Sequence, residues 1–200
     1  ASGFGTTSAA IYAAGYGPSS LTPTERTDKT ESWNGSSWTE VADTNEIKNI
    51  MGSGGTATAG VIYGGAVHPN PAPTATANTE YWNGSAWSEQ NNMNQARSYL
   101  AGFGTQTSIT AAGGNIGTAG TTPTNVVETW DGTSWTEVSE ANTNRTQYAS
   151  SGASSPSGLI FGGYTTTIVA NTEAWDGSSW TETGDLSTAV RTAGRGPVGT

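Results

Sequence analysis

The stretch WNGSSWTE, Trp33 to Glu40, sets two tryptophans around an Asn-Gly pair. The same eight positions return as WNGSAWSE at Trp82 to Glu89, WDGTSWTE at Trp130 to Glu137 and WDGSSWTE at Trp175 to Glu182. Asn-Gly and Asp-Gly are strong hairpin signals, because a type I′ turn needs positive φ at both central residues. With Asn34-Gly35 as a two-residue turn, Trp33 pairs with Ser36 and Trp38 lies opposite Glu31. Alternation then places Glu31, Trp33 and Trp38 on one face and Ser32, Ser37 and Thr39 on the other. The two indoles become diagonal neighbours, each able to bury roughly 150–250 Å². The eight tryptophans (Trp33, Trp38, Trp82, Trp87, Trp130, Trp135, Trp175, Trp180) are therefore expected to be structural anchors against the next sheet. Stacking against a ligand is the alternative use.

The rest of the chain keeps the same beat. The first tryptophan of each octapeptide is at 33, 82, 130 and 175, intervals of 49, 48 and 45 residues. Upstream of each, an apolar stretch ends in small residues: IYAAGY from Ile11, VIYGGA from Val61, ITAAGG from Ile109 and LIFGGY from Leu159. A glutamate precedes each first tryptophan (Glu31, Glu80, Glu128, Glu173), and about fifteen residues beyond it stands a base (Lys48, Arg97, Arg145, Arg191). Each unit reads as two hairpins, a glycine-punctuated one and the Asn/Asp-Gly one. No segment has helical periodicity beyond a turn. Four short strands per unit of about 45–50 residues is the pattern of a propeller blade. The expected fold is all-β, a β-propeller of four-stranded antiparallel blades, with units at residues 1–49, 50–98, 99–147 and 148–193. Residues 194–200 would begin a further unit. The segment TAGRGPVGT from Thr192 lines up with ASGFGTTSA from Ala1, so the expectation is one segment of a longer array. A four-bladed ring with a redundant tail is the alternative.

Composition narrows the function classes. Hydrophobic residues are 33% of the chain, against 28 glycines and eight tryptophans. Low hydrophobicity alone would suggest disorder, but regularly placed large aromatics imply a repeated packing site and a folded chain with a thin core. Sixteen acids against seven bases give a net charge of −9, which opposes nucleic-acid binding by phosphate neutralisation and docking on an anionic membrane surface. No apolar run approaches the roughly 18 residues of a membrane span. There is no cysteine, hence no disulfide framework. The first ten residues, ASGFGTTSAA, have no basic region before an apolar run and do not read as a signal peptide.

These residues together resemble the kelch repeat. The resemblance is carried by the glycine pairs Gly64-Gly65, Gly113-Gly114 and Gly162-Gly163, the following Glu-x-aromatic (Glu80-Tyr81-Trp82, Glu173-Ala174-Trp175), the second tryptophan and the base beyond it. It covers essentially the whole chain and implies a β-propeller. The first unit departs from it, with Ala14-Gly15 for the glycine pair and Lys48 for the arginine, and the turn between the third and fourth strands is shorter than in most kelch units. This compact form is similar to kelch-like arrays in structural proteins of marine bacteriophages, tail-fibre-like proteins among them, and in bacterial surface proteins. The resemblance implies an extracellular, non-enzymatic module of a phage virion appendage, a tail fibre or surface protein. Its partners would be other virion proteins or a host-surface glycan or protein. A secreted or cell-surface bacterial adhesin is the alternative, and a propeller domain of a larger enzyme the third.

Few residues suggest chemistry of their own. His68 is the only histidine, in the Pro-rich AVHPNPAP, and no His, Cys or carboxylate spacing suits a metal. Galactose-oxidase-like enzymes use kelch blades, but their copper site needs paired His and a Cys-linked Tyr, absent here. No catalytic residue, metal or cofactor is expected. Asp131-Gly132 and Asp176-Gly177 share their place with Asn34-Gly35 and Asn83-Gly84, so a turn accounts for them better than calcium. Glycosylation-like NGS and NRT (Asn34, Asn83, Asn144) are read as coincidence. Four of the seven bases fall at one repeat position, which suggests structural Glu–base pairing within or between blades; a ring of bases that binds an anion is the alternative. The loops after the glycine pairs vary completely: 17–30, 66–79, 115–125 and 164–172. A constant frame with varied loops is how recognition surfaces are built. The candidate ligand contacts are Tyr16, Arg26, Lys29, His68, Asn70, Asn125 and Tyr164, chemistry suited to weak repeated contact with sugar.

Overall fold

The computed structural model describes residues 1–16, 26–67, 74–117 and 122–191, with only the backbone described at Tyr16 and Arg26. The described residues form strands, turns and bends, and no helix. Four four-stranded antiparallel sheets follow one another along the chain. The first takes β1 (Ser2–Gly5), β2 (Ala10–Tyr16), β3 (Arg26–Trp33) and β4 (Trp38–Val41). Next come β5 (Lys48–Asn49), β6 (Gly52–Thr56), β7 (Ala59–Tyr63), β8 (Ala66–Val67), β9 (Thr74–Ala75), β10 (Thr79–Trp82) and β11 (Trp87–Gln90). Of these, β6, β7, β10 and β11 make the second sheet, while β5, β8 and β9 make a small separate one. The third sheet is β12 (Ala101–Thr105), β13 (Ser108–Asn115), β14 (Pro123–Trp130) and β15 (Trp135–Val138). The fourth is β16 (Ala149–Ser154), β17 (Ser157–Phe161), β18 (Thr172–Trp175) and β19 (Trp180–Thr183). Each large sheet thus draws its strands, in chain order, from one repeat unit, and the first strands β1, β6, β12 and β16 pack side by side.

The tryptophan hairpin differs from the expected two-residue turn. Trp33 lies directly opposite Trp38, and Glu31 opposite Glu40, leaving a four-residue loop. The Asn34 side-chain oxygen accepts the backbone N–H groups of Ser36 (2.9 Å) and Ser37 (3.0 Å), and Gly35 alone in the loop has positive φ. An Asx cap, rather than a type I′ turn, closes the chain. The four indole pairs consequently face each other, with centroids 5.5, 5.4, 5.3 and 5.1 Å apart.

The core lies between sheets. Among the described residues three apolar clusters are formed, one at each junction of successive units. Strand alternation accounts for this: on β7, Ile62 joins the cluster shared with the first unit, while Val61 and Tyr63 join the one shared with the third. The second tryptophan of the second, third and fourth hairpins packs backward, onto the preceding unit. Trp87 meets Phe4, Trp135 meets Tyr63 and Trp180 meets Phe103. This corrects the expectation of contact with the next sheet. Glycine permits the close approach of the strands: a Cβ on Gly60 would fall 2.1 Å from the Phe4 ring, and one on Gly158 2.5 Å from the Phe103 ring.

Candidate functional site

Strand direction sorts the residues to two ends of each sheet. Every Asn/Asp-Gly loop joins strands three and four at the end where strands one and two also turn, since Ala10 pairs with Trp33 and with Gly5. The varied loops between strands two and three, and the segments leading from strand four to the next unit, occupy the opposite end. A repeated buried clamp and the roots of the loops meet there.

The clamp is built from an Asn and a base three residues later. Glu128 on β14 accepts the backbone N–H of Asn94 (2.7 Å), the Asn94 side-chain amide (2.9 Å) and the guanidinium of Arg97 (2.9 Å). Arg97 also donates to the carbonyls of Gly113 and Val126, so one fork holds the next unit's glycine pair and its third strand. Arg145 repeats this on Glu173, Gly162 O (3.3 Å) and Asn171 O (2.7 Å), with Asn142 N–H on Glu173. Both Arg–Glu pairs are fully buried. Lys48 reaches Glu80 at 3.0 Å, with Asn45 donating twice to the same carboxylate. Its single ammonium makes only one weak carbonyl contact, to Asn78 O at 3.4 Å, where a planar fork makes two. Burial pulls the Arg97 guanidinium below its ordinary pKa, opposed by the charge of Glu128.

A second contact accompanies two of the three clamps. The indole N–H of Trp87 donates to the Thr30 hydroxyl and that of Trp135 to the Thr79 hydroxyl, both at 3.0 Å. Val127 stands at the equivalent place in the third unit, and the buried Trp180 N–H has no partner among the described residues.

The fourth unit breaks the clamp. Ten residues separate the second tryptophan from Lys48, Arg97 and Arg145, and the same step from Trp180 reaches Val190. Backbone bonding agrees: Gly163 N–H donates to Val190 O as Gly65 does to Arg97 O and Gly114 to Arg145 O. Arg191 is therefore not the fourth member of the base set. It is exposed and lies over the Tyr164 ring, 5.2 Å from its centroid. Ser187 stands where the clamp asparagine would be. The carboxylate of Glu31, the first of the glutamate set, has no ion pair or hydrogen bond among the described residues, and Trp38 is 49% exposed.

The varied loops are rooted on the preceding unit. Asn49 pairs with Ala66, Ser98 with Asn115 and Thr146 with Tyr164, each one residue after the base position. In the second unit this root grows into the small β5–β8–β9 sheet. In the third, Asn115 holds its loop by accepting Thr122 N–H at 2.6 Å and donating to Gly117 O at 2.8 Å. At the same end Tyr99 N–H donates to Ile50 O and Gln147 N–H to Tyr99 O, and all three residues have positive φ.

Of the candidate ligand contacts, His68 and Asn70 lie outside the described residues, as do the side chains of Tyr16 and Arg26. Lys29 is bound to Glu40 (3.1 Å) and Asp43 (2.9 Å), both of which raise its pKa. The Asn125 amide donates to Ala141 O (3.0 Å) and Glu140 (3.2 Å), so it ties its own loop rather than facing outward free. Tyr164 is partly exposed under Arg191. Among the described residues no group of three or more His, Cys, Asp or Glu is placed to hold a metal ion. The clamp asparagines and the Thr–Trp bonds escaped the sequence reading, although Asn45, Asn94 and Asn142 recur at a fixed step before the base. Compared with known proteins, the chain matches no family model and no curated protein.

Proposed function

We propose that the chain is a stretch of kelch-type β-propeller that acts by display: a non-enzymatic structural and recognition module of a phage virion appendage, a tail fibre or surface protein. It stands outside the cell, with its loop end turned to a host-surface glycan or to another virion protein. One observation carries the recognition reading. The constant tryptophan hairpins and the varied loops stand at opposite ends of the sheets, and the described loop roots are fastened by backbone bonds to the preceding unit. Such roots let the tips change without disturbing the frame. The phage assignment rests on the compact repeat itself. Loops of modest individual affinity would gain avidity across the copies on one particle.

The test replaces residues 68–73 and 118–121 with Gly-Ser segments and keeps the roots Ala66–Val67, Thr74–Ala75, Asn115 and Thr122. Melting and assembly should be unchanged, and adsorption of particles to host cells should fall. Undiminished adsorption by correctly assembled particles would contradict a recognition role for these loops.

A further inference from the structure

We infer that the outer face of the first sheet is one half of the sheet-to-sheet joint, and that its occupant is a further repeat unit carrying an intact Asn-x-x-Lys/Arg loop. The inference rests on the repeated joint and not on the recognition reading. Three joints within the chain share one design: a glutamate on strand three and a backward-facing indole, received by the preceding unit's clamp loop and, in two of them, its hydroxyl. The first sheet presents the same two groups, Glu31 and Trp38, with no clamp on them among the described residues. A carboxylate beside an exposed indole invites a base and an N–H donor at one spacing, which is what the clamp loop supplies.

The fourth unit supplies only part of this. Thr172 is buried at the place of Thr30 and Thr79 and could accept an indole N–H. Ser187 and Val190, however, replace the clamp's Asn and base. A second copy of this chain fares no better, because its three complete clamps already hold Glu80, Glu128 and Glu173. The fitting occupant is therefore a complete unit other than these four. Its residue at the position of Gly54 has room for a larger side chain, since the small Ala10 stands where Ile109 lies over Gly54.

The test fuses a second copy of residues 51–99 ahead of Ala1. This brings Asn94, Arg97 and Thr79 of the copy against the first sheet in the register they hold against the third. Glu31→Gln should leave the melting temperature of the four-unit chain nearly unchanged. In the five-unit chain it should lower it by roughly 5–15 °C. Acrylamide quenching assigned to Trp38, by difference from Trp38→Phe, should be lost on fusion. As a second arm, Ser187→Asn with Val190→Arg completes the fourth clamp. That variant should gain concentration-dependent head-to-tail association, abolished by Glu31→Gln, while the parent chain shows none through this face. Equal effects of Glu31→Gln in the four-unit chain, the fusion and the second variant would overturn the inference. So would Glu31-dependent self-association of the parent chain, which would make a second copy the occupant.

Discussion

At the scale of single residues, the joints are decided by whether buried polar atoms find partners. Thr79 and Val127 occupy equivalent places, differing in a hydroxyl for a methyl, and that difference leaves the Trp180 N–H unbonded while Trp135 is satisfied. An unmade buried hydrogen bond costs about 1–3 kcal/mol. Val127→Thr should therefore stabilise the chain by about 1 kcal/mol, and Thr79→Val should destabilise it by about 1–3 kcal/mol. Urea unfolding of the two variants checks this; a Val127→Thr protein less stable than its parent would show that the hydroxyl cannot reach the indole. None of this was legible in sequence, because a Thr or Val ahead of a glutamate says nothing about what its side chain meets in the neighbouring unit. The place of the fourth base was legible. The fifteen-residue step from the first tryptophan is kept by Lys48, Arg97 and Arg145 and lands on Val190, one residue short of Arg191.

At the scale of the element, the tryptophan hairpin shows why composition located the turn but not its register. Asn-Gly fits both a two-residue type I′ turn and a longer Asx-capped loop. The following two residues favour the second by offering backbone N–H groups to the Asn34 oxygen. Asp131 and Asp176 do the same work in the third and fourth units, with Asp131 accepting Thr133 and Ser134 N–H at 2.8 Å each. The backbone bonds from Ser134 and Ser179, first among those made, hold both carboxyls below the ordinary aspartate range. A depressed folded pKa means a contribution fully present above the unfolded value, about 3.9, and lost as pH falls through the folded one. The double variant Asp131→Asn with Asp176→Asn keeps the acceptor and removes the titration. Its melting temperature should lie slightly below the parent's at neutral pH, and the gap should narrow progressively as pH falls below about 4. A gap that stays constant down to about pH 2.5 would contradict the turn's dependence on the ionised carboxylate.

At the scale of the molecule, stability resides between units. Periodicity disclosed the strands, their grouping into four sheets and the repeated acids and bases. It did not disclose that the indoles face backward, because alternation fixes which side chains share a face and not which neighbour that face meets. The apolar clusters and clamps together make each sheet depend on the one before it, as in other repeat architectures where neighbour terms carry the array. A double-mutant cycle across the joint of the second and third units tests this most directly. Arg97→Met and Glu128→Gln should each cost about 3–5 kcal/mol, since either strands a polar or charged group in a dry site. Together they should cost less than the sum of the singles by about 2 kcal/mol or more. Losses that simply add, to within about 0.5 kcal/mol, would mean that the clamp does not join the sheets.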